Sequence, residues 1–368
     1  MGEEKILIIS RSIHPNTLPR SNRATELAKE FARMGHDVTL CAVLGGYNYE
    51  EFERETNIHV DNLGVSAFES ITSDSLDRDV PLLYKRINKL LGKKFMFPDC
   101  LVGLRVRKYL KKAPRFDRII TIAVPYPIHW GTGYARRHYK KVKDAVWISD
   151  CGDPFMGNPF TQRPFYFKWI EKKWCKSTDY ITVPIPEAIK GYYEEFRHKV
   201  RVIPQGFCFE EVNLEKYTPN KVPVFAYAGT VYPGKRDPSK LLDYLVESNS
   251  DFRFIVYTGS FGIFNKYKGK LGDKLIVNSY IPRLELLKEL SKVDFLINIQ
   301  NGSAVQAPSK LIDYYLTNRP ILNITSSFEE EKEDFEEFFN GDYCHQYVLD
   351  NPEQYNIKNV ARSFLKLK

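Results

Sequence analysis

The sequence predicts an α/β protein built from two parallel-sheet domains. The first observation is the length of 368 residues, which is too long for one ordinary core and suits two domains. The second is a repeated pattern of short apolar strand, loop and amphipathic helix, which is typical of a parallel sheet covered by helices on both faces. The third is a polar stretch from Glu210 to Lys221, after which the pattern starts again.

The first series opens with a strand from Lys5 to Ile9. Apolar and small residues at helical spacing predict a helix from Arg20 to Met34, and Gly35 ends it. The next strand runs from Asp37 to Val43. Four further strands, with helical segments between them, are predicted at Asp117 to Ile122, Ala145 to Ser149, Tyr180 to Val183 and Val200 to Ile203.

The second series repeats this alternation after the polar stretch. Its predicted strands are Val224 to Ala228, Phe252 to Tyr257, Leu275 to Val277, Phe295 to Ile299 and Ile321 to Ile324. Its predicted helices are Pro238 to Glu247, Arg283 to Lys292, Ser309 to Asn318 and Glu329 to Phe339. Two such domains face to face are expected to hold a ligand in a cleft at the carboxyl ends of the strands.

The composition is that of a globular protein with an anionic partner. Hydrophobic residues make up 43% and charged residues 27% of the chain, and the formal net charge is +8. This charge suits a phosphate ligand, an anionic membrane surface or nucleic acid. The six cysteines form no Cys-x-x-Cys pair, so neither a zinc ribbon nor a redox pair is indicated. The acidic N-terminus and the lack of a long apolar stretch predict a cytoplasmic protein.

Three loops of the second series carry the candidate site residues. The first, from Tyr227 to Pro238, follows a strand and holds Gly229, Thr230, Lys235 and Arg236. A cation in such a loop can neutralise a diphosphate, although an ordinary solvated loop would also carry exposed charges. The second, from Asn278 to Pro282, includes Tyr280 and Ile281, and it can give backbone contacts to a nucleotide base.

The third loop leads into the predicted helix that begins near Ser309. The free N–H groups and the positive dipole end of such a helix favour an anion. Asp313 lies about one turn further, where a carboxylate can accept hydrogen bonds from ribose hydroxyls; the alternative is a core helix with a capping serine and a surface acid. The loop and first-turn residues that we expect to contact the ligand are Ser303, Pro308, Ser309 and Lys310.

These motifs, taken in order, resemble the retaining GT-B-fold glycosyltransferases of the family-four type. The segment PSKLIDYYLTNRPIL resembles their PSKLFEYLALGKPVL pattern, RVIPQGF resembles VIPNGF, and FAYAGTVYPGK resembles FLYVGRLSPEK. The segments LPRSNRATELAKEFARMGHDVTL and ISDCGDPF are similar to two further family patterns. The matches extend from residue 5 to about residue 325 and imply GT-B: two Rossmann-like parallel-sheet domains facing across a cleft.

The resemblance implies roles for individual residues. Lys235 matches the phosphate-binding lysine, Asp313 stands where the family has a ribose-binding glutamate, and the backbone of Ser309 and Lys310 would receive the diphosphate. Thr230 stands where the family has a phosphate-binding arginine, so Arg236 would have to substitute for it. Val305 stands where an acidic residue is usual, and a stretch around Ser21 and Asn22 replaces the glycine pair of the first loop.

The resemblance also implies the domain roles and the reaction. Residues 1–206 would bind the acceptor, residues 207–350 the nucleotide-diphosphate-sugar donor, and residues 351–368 would form a helix packing back on the first domain. The expected reaction moves the sugar with retention to a glycan or lipid-linked acceptor, as in surface polysaccharide biosynthesis. Fixed cations and a helix N-terminus would stabilise the leaving diphosphate, so neither a cofactor nor a metal is expected.

Candidate residues for the acceptor side lie in the first domain. Asp150 and Asp153 follow a predicted strand and are candidates for contacting the acceptor hydroxyl, although they could simply cap the next turn. His129 is a candidate to line the cleft, although a lone histidine is more often a packed residue. The basic segment from Lys85 to Arg115 mixes lysines with apolar residues, which indicates either an anionic membrane surface or a solvated face over the core.

Other classes of protein fit the sequence less well. The Asp-x-Asp of Asp77 to Asp79 imitates a metal-binding motif but lies in a polar loop, where capping explains it better. A nucleic-acid binder would need a recognition module, and none is present. A catalytically weak sugar-nucleotide-binding subunit remains an alternative because of Thr230 and Val305, and a GT-B-fold nucleotide-sugar epimerase is a second alternative.

Overall fold

The computed structural model describes residues 2–16, 18–64, 90–158, 161–212, 214–300 and 309–368. The chain divides into two compact units, Met1–Phe207 with Tyr355–Lys368, and Cys208–Gln354. The predicted domain boundaries, after residues 206 and 350, lie within a few residues of this division.

The first unit contains a parallel sheet whose described part has seven strands in the order β3-β2-β1-β4-β5-β6-β7. Most of its central strand residues are buried, as expected for a sheet covered on both faces. The strands are β1 Lys5–Ile9, β2 Asp37–Ala42, β3 Ile58–Asn62, β4 Arg118–Ile122, β5 Val146–Asp150, β6 Tyr180–Val183 and β7 Val200–Val202.

Helices pack on both faces of this sheet, and a core of apolar side chains including Trp147 and Trp174 fills one interface. The described α-helices are α1 Pro19–Arg33, α2 Glu50–Thr56, α3 Asp99–Lys112, α4 Pro127–His138, α5 Lys140–Lys143, α6 Phe167–Ser177, α7 Glu194–Arg197 and the C-terminal α13 Ile357–Leu365. Residues 90–95 are also helical, and Pro186–Gly191 forms a 3-10 turn.

The C-terminal helix α13 belongs to the first unit and packs against α1. Gly206, in the chain after β7, lets α13 approach closely, because a Cβ atom there would lie 2.5 Å from Ile357 Cδ1. At the other end of α13, the buried Arg118 guanidinium donates hydrogen bonds to the carbonyl oxygens of Phe364 and Leu367, at 3.0 and 2.7 Å. Arg118 therefore satisfies carbonyl groups that the end of a helix leaves without partners.

The second unit contains a smaller parallel sheet, with five described strands in the order β10-β9-β8-β11-β12. Its strands are β8 Val224–Ala228, β9 Arg253–Tyr257, β10 Leu275–Asn278, β11 Phe295–Ile299 and β12 Ile321–Ile324. Its described α-helices are α8 Ser239–Glu247, α9 Phe261–Leu271, α10 Arg283–Ser291, α11 Ser309–Leu316 and α12 Lys332–Phe339. One core cluster centres on Phe225, whose ring stacks on those of Phe254 and Phe295.

The predicted α/β architecture is confirmed, and the strands coincide with their predicted positions to within one residue at either end. The helices and strands that were not predicted include α2, the neighbouring edge strand β3, α3 and α9. The edge strand is only partly buried, so its residues lack the continuous apolar run of the central strands.

Candidate functional site

The candidate site residues of the second unit lie at the carboxyl ends of strands in one parallel sheet. Gly229 and Thr230 directly follow β8, and Tyr280 and Ile281 lie in the loop after β10, beyond Ser279. Helix α11 begins at Ser309, after the loop that follows β11. Ser303, Val305 and Pro308 lie outside the described residues, as does the side chain of Ser309.

Gly229 leaves space beside this edge of the sheet. Its φ of 145° lies in the region that favours glycine, and its N–H donates to the carbonyl oxygen of Tyr257 at 2.9 Å. A Cβ atom at this position would lie 3.4 Å from Tyr227 Oη and 3.6 Å from Lys310 Cδ. A larger residue would be strained by the positive φ, while its Cβ atom would make only ordinary contacts with these two side chains.

A tight turn after β8 leaves the neighbouring side chains of Lys235 and Arg236 in different environments. Tyr232 and Arg236 exchange both backbone hydrogen bonds, at 3.0 Å each, and Gly234 adopts a φ of 72° between them. Lys235 is exposed at the tip, and its ammonium has no ion pair within the described residues. Arg236 is half-buried, and its Nε is enclosed without a hydrogen-bond partner among the described residues.

Lys310 places an ammonium group inside the unit. The residue as a whole is only half-buried, but its Nζ is enclosed and lacks a hydrogen-bond partner in the described part of the chain. The Nζ atom lies 4.4 Å from the ring centre of Tyr227 and 5.4 Å from that of Tyr314. Burial, and then the positive charge of Arg236, hold the pKa of Lys310 well below its ordinary value.

Two cations therefore lie near each other at the end of β8, and no described carboxylate pairs with either of them. Enclosing an unpaired charge is costly, and the contact of Lys310 with two aromatic rings offsets only part of the cost. The first turn of α11 adds backbone N–H groups that have no intrahelical partner. This arrangement suits a ligand with two or more negative charges.

Asp313, one turn further along α11, is engaged in an ion pair. Its Oδ1 accepts a hydrogen bond from Arg283 Nε at 2.8 Å and forms an ion pair with Arg283 Nη2 at 2.7 Å. Burial raises the pKa of Asp313, and the guanidinium opposes that shift. Arg283 was not predicted as a site residue; its place directly after Pro282, at the start of α10, is the signal that could have indicated it.

The two loops that follow β8 and β10 are tied together by side chains. Thr230 Oγ1 lies 2.9 Å from Tyr280 Oη, and Tyr227 Oη donates to the carbonyl oxygen of Thr230 at 2.9 Å. Ile281 is half-buried and packs against the apolar cluster that includes Tyr314. The Thr230 side chain thus acts in a loop-to-loop contact at the position where the resemblance implies an arginine.

In the first unit, Asp150 ends β5 and is completely enclosed. Its carboxylate pairs with Arg23 at 2.8 Å and with Arg20, and it accepts a hydrogen bond from Thr182 Oγ1 at 2.7 Å. Burial alone would raise the pKa of Asp150, but Arg23 and Arg20 outweigh it and hold this pKa below the ordinary range. Asp150 is therefore suited to positioning the two arginines rather than to accepting a proton.

The other two candidates of this unit differ in accessibility. Asp153 is exposed in the loop after β5, and its carbonyl oxygen accepts a hydrogen bond from Tyr126 Oη. His129 is fully buried, with Nδ1 2.8 Å from Thr121 Oγ1 and Nε2 3.4 Å from Cys151 Sγ. Burial lowers the pKa of His129 to about 3, so it is neutral. The expectation that His129 lines an open cleft is corrected: it is a core residue.

The basic segment from Lys85 to Arg115 is described from residue 90 onward. Leu90 and Phe95 are exposed, whereas Met96 is buried. Two aromatic side chains from α6 and the residues before it, Phe165 and Trp169, are 76% and 67% exposed, with ring centres 6.2 Å apart.

These aromatic residues belong to the same surface as the basic segment, because Tyr166 Oη, next to Phe165, donates a hydrogen bond to the carbonyl oxygen of Lys94. No helix within the described ranges is both long enough and apolar enough to cross a membrane.

One group of side chains in the described residues has the spacing of metal ligands. Ligand atoms of Glu337, Cys344 and His345 lie within 4.8 Å of one another. The group is at the surface, and Tyr343 beside it packs on Phe295, the first residue of β11, so it lies at the opposite edge of the sheet from the cation pair. His345 Nδ1 is already 2.7 Å from a Glu337 oxygen. The Asp77 to Asp79 motif lies outside the described residues.

Comparison with known proteins identifies the fold. No family model matches the chain, and no curated protein matches it by sequence. The chain is similar to the structure of a glycosyltransferase from Rickettsia africae, with a TM-score of 0.62, 12% identity and coverage of 100% of this chain and 98% of that one. It is also similar to Anabaena HepE in complex with UDP and glucose, with a TM-score of 0.59, 10% identity and 99% coverage of both chains.

A third similar structure is the lipopolysaccharide outer core galactosyltransferase WaaB, with a TM-score of 0.58, 12% identity and coverage of 99% of this chain and 98% of that one. At such low identity these matches establish the fold alone. The α/β fold of this chain is that of the GT-B glycosyltransferases, as predicted from its motifs.

Proposed function

We propose that this protein is a retaining glycosyltransferase. It would move a sugar from a nucleotide-diphosphate donor to a glycan or lipid-linked acceptor, in the biosynthesis of a surface polysaccharide and in the cytoplasm. The fold is compatible with this activity. The single observation that carries the proposal is the enclosed ammonium of Lys310, which lies near Arg236 and is paired with no carboxylate of the described residues.

Sugar transfer from a nucleotide-diphosphate donor requires positive charge near the leaving diphosphate. Breaking the anomeric C–O bond puts the bonding electrons on the diphosphate, and fixed positive charges near that group lower the barrier. Lys310, Arg236 and the N–H groups at the start of α11 would stabilise this charge. The acceptor hydroxyl would attack from the face that the diphosphate leaves, and its proton would pass to a phosphate oxygen. No metal ion is then required.

We revise the roles that the resemblance implies for individual residues. Arg236 has its guanidinium partly enclosed, so we assign to Arg236 the phosphate contact expected of Lys235. Lys235 remains available as an exposed outer cation. Asp313 would hold the ribose, with Arg283 fixing the orientation of its carboxylate. Ser303, Pro308 and Ser309 would contribute backbone contacts to the donor.

In the first unit, we propose Asp153 as the acid that contacts the acceptor hydroxyl, since it is exposed after β5. Asp150 would act through Arg20, which it pairs with, and not on the acceptor itself.

The alternative functions, a binding subunit and an epimerase, can be compared with the same site residues. A binding subunit without catalysis would need the cation pair as much as an enzyme does, so only turnover separates the two. An epimerase would need a placed base, and the buried candidates do not provide one: Asp150 is paired and His129 is neutral and enclosed. We therefore favour transfer over epimerisation.

The test is a donor screen with the purified full-length protein. A panel of UDP-, GDP- and ADP-linked sugars is incubated with lipid-extract acceptors, with and without chelator, and the release of nucleoside diphosphate is measured. Acceptor-dependent release that persists in chelator would support the proposal. Conversion of the sugar without any acceptor would indicate an epimerase, and tight binding with no product would indicate a binding subunit.

We further propose that the protein attaches to the inner face of the cell membrane. In the described part of the basic segment, from residue 90 onward, the lysines and the exposed Leu90 and Phe95, together with Phe165 and Trp169, form a surface suited to the headgroup region of an anionic bilayer. Attachment would bring the protein to a lipid-linked acceptor.

A further inference from the structure

A turn after helix α12 brings two side chains of the following segment back to the helix. Asp334 and Glu337 lie one turn apart on α12. Gly341, two residues after the helix ends, adopts a φ of 84°, which favours glycine and lets the chain reverse its direction. The side chains of Cys344 and His345 therefore reach the two carboxylates of the helix.

The turn is held by an aromatic contact and two hydrogen bonds. The Tyr343 ring packs on that of Phe338, with ring centres 5.2 Å apart. The backbone N–H of Asp342 donates to the carbonyl oxygen of Glu337 at 2.9 Å, and Asp342 Oδ1 accepts a hydrogen bond from the N–H of Cys344 at 3.1 Å. The backbone of this segment is thus fixed before any ligand binds, which reduces the entropy lost on binding.

The polar atoms of this cluster are nearly as far apart as the ligands of one metal ion. Cys344 Sγ lies 3.6 Å and His345 Nδ1 lies 2.7 Å from Glu337 Oε2. In a tetrahedral zinc site with bonds of about 2.0–2.3 Å, ligand atoms are about 3.3–3.8 Å apart. Small side-chain rotations would therefore arrange the three groups around one ion. Asp334 Oδ1, 3.1 Å from His345 Nδ1, adds a second negative charge.

The types of ligand favour zinc over magnesium or calcium. A cysteine sulfur and an imidazole nitrogen suit zinc, whereas magnesium and calcium prefer oxygen. Cys344 is the one exposed cysteine among the six of the chain.

His59 of the first unit provides a contrast with His345. It also lies between two carboxylates, but its Nδ1 faces Glu53 at 3.3 Å and its Nε2 faces Asp61 at 3.1 Å. The two acids thus lie on opposite sides of the ring and cannot share one ion with it. In the second unit, both carboxylates meet the same nitrogen of His345.

We propose that Glu337, Cys344 and His345 bind a zinc ion at the surface of the second unit. The ion would take the place of the thiol proton and of the proton on His345 Nδ1, and water would occupy the fourth position. Bound zinc would fasten the segment after α12 to that helix and stabilise this part of the unit. The site is independent of the proposed sugar transfer.

Titration of the reduced, full-length protein with Zn²⁺ tests this site, and Co²⁺ serves as a spectroscopic probe. One zinc ion should bind per chain, Mg²⁺ should not compete, and cobalt should give the absorption band of a thiolate–metal bond. Cys344→Ser and His345→Ala should each weaken zinc binding by about tenfold or more, and Cys344→Ser should abolish the band. His59→Ala is the matched control and should leave zinc binding unchanged.

Four results would overturn the proposal. The first is a wild-type protein that binds no zinc at micromolar concentration, and the second is cobalt binding without the thiolate band. The third is equal zinc affinity in Cys344→Ser and the wild type. Zinc should also raise the midpoint of thermal unfolding of the wild type but not of His345→Ala, because it stabilises only a protein that binds it. An equal rise in both would place the ion elsewhere.

Discussion

Among the single residues, Lys310 is unusual, because its ammonium is enclosed and no carboxylate in the described part of the chain pairs with it. Such a group lowers the stability of the ligand-free protein, since burial disfavours the charged form and Arg236 adds repulsion. A protein keeps an arrangement of this kind at a cost when a ligand supplies the missing charge. The enclosed ammonium thus favours an anionic ligand beside Lys310 independently of any resemblance.

The neighbouring cations Arg236 and Lys235 should differ in their effect on diphosphate binding. Arg236→Met should lower the affinity for pyrophosphate by about tenfold to a hundredfold, because a charge-assisted hydrogen bond contributes about 1.5–3 kcal/mol. Lys235→Met should lower it only a fewfold, since its side chain is exposed. Calorimetry at fixed ionic strength measures both variants, and the reverse order of effects would return the phosphate role to Lys235.

Sequence alone could not assign these roles, because they depend on partners far along the chain. Lys235 and Arg236 are adjacent, and only the turn closed by Tyr232 and Arg236 decides which side chain points inward. Asp150 is a strand-end acid in the sequence, yet its partner Arg23 lies 127 positions earlier. The sequence therefore indicates that Asp150 is a candidate site residue. It does not reveal whether the Asp150 carboxylate accepts a proton or forms an ion pair with an arginine.

Among the helices, α11 explains how the cation pair is held. The hydroxyl of Tyr314 accepts a hydrogen bond from the N–H of Ala228 at 2.7 Å, so the helix is fixed to the last residue of β8. Leu311 and Tyr314 also pack in an apolar cluster with Ala226. The apolar residues on several faces of α11 are therefore accounted for by packing and by this contact.

The Arg118 contact with α13 should be important for the stability of the first unit. Arg118→Met would remove the side-chain donor to the carbonyl oxygens of Leu365 and Leu367 and to the carboxylate of Glu4, at an expected cost of about 2–5 kcal/mol. Urea unfolding and proteolysis of the C-terminal helix measure this effect. Arg201→Met, at an exposed arginine, is the control; similar midpoints for both variants would contradict a specific role for Arg118.

Two of the elements that were missed lack the strong apolar periodicity of the predicted ones. Helix α2 has one buried residue, Phe52, and β3 is a partly exposed edge strand, so neither stands out from a polar loop. Helix α9 carries four buried or aromatic positions but also interior glycines at Gly262 and Gly269, which weaken a helix prediction.

For the whole molecule, the division into two parallel-sheet units followed from the repeated strand–helix pattern and the polar stretch between its two series. The position of the C-terminal helix in the first unit followed only from the resemblance. Surfaces were less predictable: the basic segment was recognisable from composition, but Phe165 and Trp169 lie some 70 positions away and adjoin it only through Tyr166.

The proposed membrane surface should bind anionic vesicles. Replacing Phe165 and Trp169 with serine, or reversing the charges at Lys93, Lys94, Lys111 and Lys112, should each lower the cosedimented fraction severalfold, because apolar insertion and lysine attraction both contribute. Val348→Ser, at an equally exposed apolar residue of the second unit, is the control.

Trp169 also offers a direct readout, since its fluorescence should shift to shorter wavelength on vesicles. Binding that is unchanged in both variants, or equally strong to zwitterionic vesicles, would contradict this surface.

The most direct test of the account is Lys310→Met, examined for stability and for pyrophosphate affinity in the same preparation. Removing an enclosed, unpaired charge should raise the free energy of unfolding of the ligand-free protein by about 1–3 kcal/mol. The same change should lower the affinity for pyrophosphate by about tenfold to a hundredfold. Lys240→Met, at an exposed lysine, should alter neither. A variant that is less stable than the wild type and still binds pyrophosphate normally would contradict the claim that Lys310 is enclosed in order to receive a diphosphate.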